Sequence, residues 1–422
     1  MLRLYQVGIA IVSWLLPVIS LFNNKLRRGI QGRRGLWEQL EKHYYTSAKG
    51  GKKIILHVSS FGELEQANPI IKRLKSEHPD YHIHLTFFSP SGYENTNHKY
   101  SLPDLITYLP FDTKRNASRF LEITKPDLFI FVRYDVWHTL VDELHSRKIP
   151  ILLISATFSE KKNANPLVKA LYKTTYSKLD SILSIRESDR QALLTLGIDT
   201  KKILVTGDTR FDQVLERRLG TEAQEKNLLP FTAVDKSLLV AGSTWEADEL
   251  LLHAVMEDKE LAKDMVLVIV PHEVNPGHIA SLQKLFAGNT QLYSDLEKGN
   301  SYIDGRVIVV DSIWKLFSLY RNTQLAYVGG GFGAGVHNVL EAAVWRSAVL
   351  FGPKIDRSLE IGELVAAGGG FVIHDATELH STVERLLYSL FPRVKACAIA
   401  EEFVQQNGGA TEAVLKVIVT YL

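Results

Sequence analysis

Lys53-Ile54-Ile55-Leu56-His57-Val58-Ser59-Ser60-Phe61-Gly62-Glu63 is the stretch that decides the fold. A short apolar run bounded by serine and glycine reads as a buried strand with a tight turn, and the pattern over residues 64–77 then reads as a helix. That is the opening of a βα unit. The same grammar recurs at residues 82–88, 127–132 (DLFIFV) and 149–155 (IPILLIS), with a helical pattern over 136–147 between the last two. Strands alternating with helices imply a parallel sheet. A second set follows at residues 237–241 (SLLVA), 265–270 (MVLVIV), 306–310 (RVIVV), 325–328 and 348–351. Two Rossmann-like sheets in succession are therefore expected, and 422 residues exceed what one hydrophobic core usually supports. The expected division is residues 1–24, 25–218 and 219–422, with the polar stretch 219–236 as linker.

The composition is 45% hydrophobic and 23% charged, ordinary for a folded globular chain. A net charge of +2 gives no general reason to bind nucleic acid. Cys397 is the sole cysteine, which excludes an intrachain disulfide and suits a reducing compartment.

From Leu4 to Phe22 there is no charged residue, and Lys25, Arg27, Arg28, Arg33 and Arg34 follow directly. An apolar helix with basic residues downstream reads as a membrane anchor, either spanning or lying in the interface, that leaves the body in the cytoplasm. The basic cluster is placed to meet anionic headgroups, although a solvated loop has the same composition.

In parallel α/β sheets, ligands bind at the carboxyl ends of the strands, so the turns there carry the candidate residues. Glu63 sits in such a turn. Partial desolvation would fit it for general-base work, while an acid at a helix start is also simply favoured by the helix dipole. Residues 328–338 read Val-Gly-Gly-Gly-Phe-Gly-Ala-Gly-Val-His-Asn, with Glu341 beyond. Glycines admit a phosphate close to the backbone, and Asn338 and Glu341, one helical turn apart, can face one ligand with the carboxylate accepting from ribose hydroxyls. The spacing is neither GxGxxG nor a P-loop. Ser243 and Thr244, in Ala241-Gly242-Ser243-Thr244-Trp245-Glu246, end a strand and either face a ligand or cap the next helix. Arg210, in Thr206-Gly207-Asp208-Thr209-Arg210-Phe211-Asp212, either clamps a phosphate or carboxylate or pairs with Asp208 or Asp212. His272, in Pro271-His272-Glu273, is a ligand contact or a structural histidine. There is no HExxH, CxxC pair or DxD, so nothing calls for a metal, and no GxSxG elbow for a serine hydrolase.

Taken in order, these motifs resemble the Kdo transferase family of lipopolysaccharide synthesis, along nearly the whole chain. The resemblance implies an α/β GT-B fold with two Rossmann-like domains facing across a cleft, plus an N-terminal membrane helix. It implies Glu63 as catalytic base and assigns His337, Asn338 and Glu341 to the donor nucleotide. Gly242-Ser243-Thr244 and Gly207 to Asp212 match further family elements. The chain departs from the family at Pro271-His272-Glu273, where many members have Pro-Arg-His. It also departs at Arg133-Tyr134-Asp135-Val136-Trp137, where many have Glu-Thr-Glu-Leu-Trp. At Ile313-Trp314-Lys315-Leu316 it replaces Met-Gly-Glu-Leu, and Lys315 stands as a substitute phosphate contact. The implied partners are CMP-Kdo, a lipid A precursor and membrane lipids; no cofactor, metal or nucleic acid is implied. The implied location is the cytoplasmic face of the inner membrane. Alternatives are a UDP-sugar transferase or epimerase of the same fold, and a non-catalytic nucleotide-binding membrane module.

Overall fold

The structure is a computed structural model that describes residues 2–46, 50–96, 100–158, 165–223, 236–303, 305, 307–356 and 358–422. The chain forms two compact units, residues 1–213 with 408–422, and residues 214–407.

In the first unit, β1 (Lys53–Val58), β2 (His82–Phe87), β3 (Leu105–Tyr108), β4 (Leu128–Val132), β5 (Ile151–Ala156), β6 (Ser181–Ser184) and β7 (Ile203–Val205) form one parallel sheet. Its order is β3-β2-β1-β4-β5-β6-β7. The central strands carry Ile, Leu, Phe and Val on both faces because helices cover both faces, as all-parallel sheets require. The second unit repeats the plan with β8 (Ser237–Thr244), β9 (Met265–Pro271), β10 (Thr290–Leu292), β11 (Val307–Val309), β12 (Leu325–Val328), β13 (Ala348–Phe351) and β14 (Gly370–Val372). Its parallel order is β10-β11-β9-β8-β12-β13-β14. The strand order reverses beside β1, between β1 and β4, and beside β8, between β8 and β12. Those crevices are where such sheets bind ligands.

The unit boundary lies at 213/214, inside the helix Thr209–Glu222, and not at 218/219. The expected linker is helical to Glu222, and its residues 224–235 lie outside the described residues. The chain end also differs from expectation, since residues 408–422 rejoin the first unit. The cause is apolar: Val414, Leu415 and Ile418 of the last helix, Ala410–Val419, are buried in the core cluster of Ile54, Leu56, Leu64 and Ile71. Asp212 fixes the start of that helix by accepting from the backbone N–H groups of Gly409 and Thr411, both at 2.6 Å.

The N-terminal run is a helix, Leu2–Ile19, the only one among the described residues long and apolar enough to cross a membrane by length and composition. It is fastened near its start. Tyr5 donates its hydroxyl to Oδ2 of buried Asp112 at 3.0 Å and packs edge-on against His138 at 4.8 Å between ring centroids. Asp112 also accepts from the N–H groups of Thr139 and Leu140, while burial pushes its carboxyl up to about 6.

The basic cluster is divided. Arg33 is neither solvated nor turned to a lipid surface: its guanidinium lies over Phe88, Tyr108 and Phe111 and donates to the carbonyls of Gly29, Phe88 and Leu109. Burial lowers its pKa to about 10. Arg28 pairs with Glu94.

Candidate active site

In the first unit, β1 ends at Val58, and the helix Phe61–Glu77 begins with Ser60 as its extended N-cap residue. Glu63 falls in the first turn, where its carboxylate accepts the Ser59 N–H and is 3% exposed. The acid thus sits where the helix dipole favours it and is also buried. Burial wins over the Ser59 hydrogen bond and pushes the carboxyl up to about 7. Asp135 adds to the rise and Arg133 opposes it, so the Arg133-Tyr134-Asp135 departure sets charges of both signs around the acid. Arg133 adopts φ 72°, places its guanidinium 5.4 Å from the Tyr134 ring, and leaves its buried Nε without a partner among the described residues. On β1, fully buried His57 bonds Thr86 at 2.9 Å and accepts the Trp137 indole N–H at 3.0 Å, with Asp135 at 3.5 Å.

Arg210 also belongs to the first unit. It donates through Nε and Nη2 to Oδ2 of Asp208, at 2.9 and 2.7 Å. The pair is buried rather than superficial. Burial raises the Asp208 carboxyl, but Arg210 and its other donors outweigh that and hold it below the usual range. Thr209 donates to the Gln66 carbonyl at 2.7 Å. With Asp212 capping the last helix, this whole element is bound into the unit's own structure.

In the second unit, the ends of β8 and β12 meet. A Cβ on Gly329 would lie 2.3 Å from the Ser243 carbonyl oxygen, so the glycine is demanded by backbone packing on backbone. Gly330 adopts φ 93°, and a side chain there would meet Gly335 and His337. The glycines thus serve the protein's own turns before any phosphate. Ser243 is held at φ 53°. Neither Ser243 nor Thr244 caps the next helix, Glu246–Met256; that place is taken by Trp245. The Thr244 hydroxyl donates instead to buried Glu249 at 2.9 Å, and Glu249 also receives His278.

Buried Asp248 organises the crevice. One carboxylate accepts the Trp245 N–H at 3.0 Å, the Gly330 N–H at 2.9 Å and the Tyr327 hydroxyl at 2.8 Å, joining the turns after β8 and β12. Above it stand three stacked rings. Trp245 and His272 are 4.7 Å apart at 28°, His272 and His337 are 4.3 Å apart at 16°, and the Trp245 indole N–H donates to His337 Nε2 at 3.0 Å. Burial, reinforced by His272, lowers the His337 pKa to about 4; burial lowers that of His272 as well.

Asn338 and Glu341 do not share a helix. The helical turn is only Leu340–Ala343, and Asn338 lies before it with Oδ1 accepting the Leu340 N–H at 3.1 Å. Glu341 is bonded by Arg217 at 2.7 Å, whose guanidinium lies 4.1 Å from the Phe317 ring centroid. Burial raises the Glu341 pKa against the pull of Arg217. Lys315 donates to Glu297 at 2.6 Å. Within this unit the fold therefore brings Ser243, Thr244 and His272 together through Trp245. Trp245, Asp248 and Arg217 are the residues that sequence reasoning passed over. A tryptophan after a strand-end Gly-Ser-Thr was the available signal for the first. Among the described residues no cluster of His, Cys, Asp and Glu could hold a metal ion.

Two all-parallel seven-stranded sheets, each with its polar turns at the switch point, define a two-domain α/β protein of the GT-B type. Likeness to a solved structure agrees on the fold: a UDP-GlcNAc 2-epimerase from Neisseria meningitidis matches with a TM-score of 0.62 at 17% identity, over 87% of this chain and 100% of that one. Residues 29–213 match the family model described as 3-Deoxy-D-manno-octulosonic-acid transferase (kdotransferase). The 3-deoxy-D-manno-octulosonic acid transferase of Haemophilus influenzae is 26% identical over 398 residues, 92% of each chain. A bifunctional glycosyltransferase/methyltransferase of Fusobacterium nucleatum is 27% identical over 81% of this chain, which spans 54% of that longer protein. The chain is a relative of the Kdo transferases and, with them, a glycosyltransferase.

Proposed function

We propose that the chain transfers Kdo from CMP-Kdo to a lipid A precursor, lipid IVA, with inversion at the anomeric carbon, on the cytoplasmic face of the inner membrane. The observation that carries this reading is Glu63, a buried carboxylate at the carboxyl end of β1 whose pKa is raised to about 7, where a general base works best. Glu63 takes the proton of the acceptor hydroxyl. The oxygen forms its bond to the anomeric carbon as the bond from that carbon to the donor phosphate breaks, and CMP leaves with the electron pair. The second unit serves the donor: Asn338 and Glu341 read cytidine and ribose, and the turns at Ser243 and Leu316 receive the phosphate. Fixed amides and basic groups stabilise charge on the departing phosphate. Lys315 and Arg210 keep their assigned donor roles only if they exchange Glu297 and Asp208 for the ligand. The helix Leu2–Ile19 supports membrane association, which would keep the enzyme beside a lipid substrate.

The deciding experiment is a transfer assay with CMP-Kdo and lipid IVA, run beside thermal stabilisation by CMP and by UDP. Transfer by the wild type, its loss in Glu63→Gln, and stabilisation by CMP are expected. Stabilisation by UDP alone would favour a UDP-sugar enzyme, and nucleotide binding without any turnover would favour a non-catalytic module.

A further inference from the structure

The second unit has a cavity of about 430 Å³ at the end of its sheet opposite the donor turns. Its lining includes Thr323 and Gln324, which precede β12, and Trp345 and Arg346, which precede β13. Ser243, Gly329 and their neighbours lie at the carboxyl ends of the same strands. A four-residue strand such as β12 separates the two ends by roughly 13 Å, so this is a second location and not an extension of the first.

The lining is chemically one-sided. It contains Arg321, Arg346 and Arg393 and no acidic residue. Arg321 makes no hydrogen bond or ion pair among the described residues, and Arg346 has only a long contact of 3.9 Å to Glu401, a carboxylate already bonded by Arg218 at 2.6 Å. Arg393 is steadied from below by the Leu387 carbonyl at 3.1 Å and the Ser237 hydroxyl at 3.4 Å. Arg346 is held at φ 60°, a strained position for an arginine that the surroundings must enforce. Trp345, 7% exposed, has an indole N–H with no partner among the described residues. Guanidiniums without carboxylates suit a phosphate, which accepts from several forks at once. The rim adds a second property. Leu390 is 63% exposed and Val394 45%. Such apolar side chains at the mouth of a basic cavity suit a ligand with an apolar portion.

We propose that this cavity binds the phosphate of a small amphiphile, with the phosphate among Arg321, Arg346 and Arg393 and the apolar chain along Leu390 and Val394. The chemistry is a phosphate ester joined to a hydrocarbon chain, and the site is separate from the donor site.

Calorimetric titration of the full chain in a nonionic detergent tests this, with dihexanoyl phosphatidic acid below its micellar concentration as probe and sodium phosphate as the free-phosphate arm. Saturable binding with one site is expected. It should weaken tenfold or more in Arg321→Ala/Arg346→Ala, whose side chains are exposed and do not hold the fold. Leu390→Ser should weaken the lipid and leave inorganic phosphate unchanged. No saturable binding, or binding unaltered in the double variant, overturns the site. Inorganic phosphate binding as tightly as the lipid overturns the amphiphile assignment, and dihexanoyl phosphatidylcholine, whose phosphate charge is offset by choline, binding equally well overturns the seating of the phosphate among the arginines.

Discussion

Trp245 donates its indole N–H to Nε2 of His337 across 3.0 Å, and so fixes the tautomer of that ring. With Nε2 accepting, the proton of the neutral imidazole sits on Nδ1, ready to donate to an anion. Trp245→Phe keeps an aromatic ring against His272 and deletes only this bond. Nitrogen-15 spectra should then show His337 losing its preference for the Nδ1–H form, with nucleotide affinity falling several-fold. An unchanged tautomer in the variant would sink the argument.

Glu63→Gln should lower turnover by roughly 10²–10⁴, the usual contribution of a general base. It should also stabilise the protein above pH 7. The sign follows from the raised value: between the ordinary carboxyl pKa of 4.5 and about 7, the unfolded chain ionises and the folded one does not, so wild-type stability falls as pH rises. The glutamine escapes that loss, which is at most roughly 3 kcal/mol at 1.36 kcal/mol per unit. Melting temperatures of both proteins from pH 5 to 8 check this, and a variant less stable at pH 8 would contradict it.

Asp248 receives three donors from two turns, so Asp248→Ala should leave two N–H groups and a phenol unsatisfied. A loss of about 2–4 kcal/mol is expected from unmet buried donors. Denaturant titration measures it. The loss should come with weaker nucleotide binding even though Asp248 itself accepts only from the protein.

Arg217→Met removes the countercharge of Glu341. The Glu341 pKa, already raised by burial, should rise further, and stability present at low pH should be lost as pH climbs through it. The deficit against wild type should grow from pH 5 to pH 8 to about 2 kcal/mol, less than for a fully buried pair because Arg217 is partly exposed. A deficit independent of pH would assign the effect to lost packing on Phe317 instead.

The strands that the sequence pattern marks are the central ones: β1, β2, β4 and β5, then β8, β9, β11, β12 and β13. Those it leaves unmarked, β3, β6, β7, β10 and β14, lie toward the outer edges of the two sheets. Edge strands are short and less thoroughly apolar, as Ser181–Ser184 and the exposed Leu204 and Val205 show, so no long hydrophobic run announces them. At the site, strand-end turns were legible because topology puts function there. Partners were not. Whether Arg210 meets a ligand or Asp208, and whether Asn338 shares a helix with Glu341, depends on side-chain geometry that spacing does not encode. Asp248 was silent for the same reason, since an acid in a first helical turn is the commonest of patterns.

The bond from Tyr5 to Asp112 carries a consequence for how the protein meets a bilayer. A helix that crossed the membrane and re-entered the body at its far end would place its fifth residue roughly 20 Å from its nineteenth, in the opposite leaflet. Tied to a carboxylate of the body at its very first turn, the helix instead presents Val7, Ile11, Trp14 and Val18 broadside. Upright insertion of this helix into a bilayer would first have to break the tie.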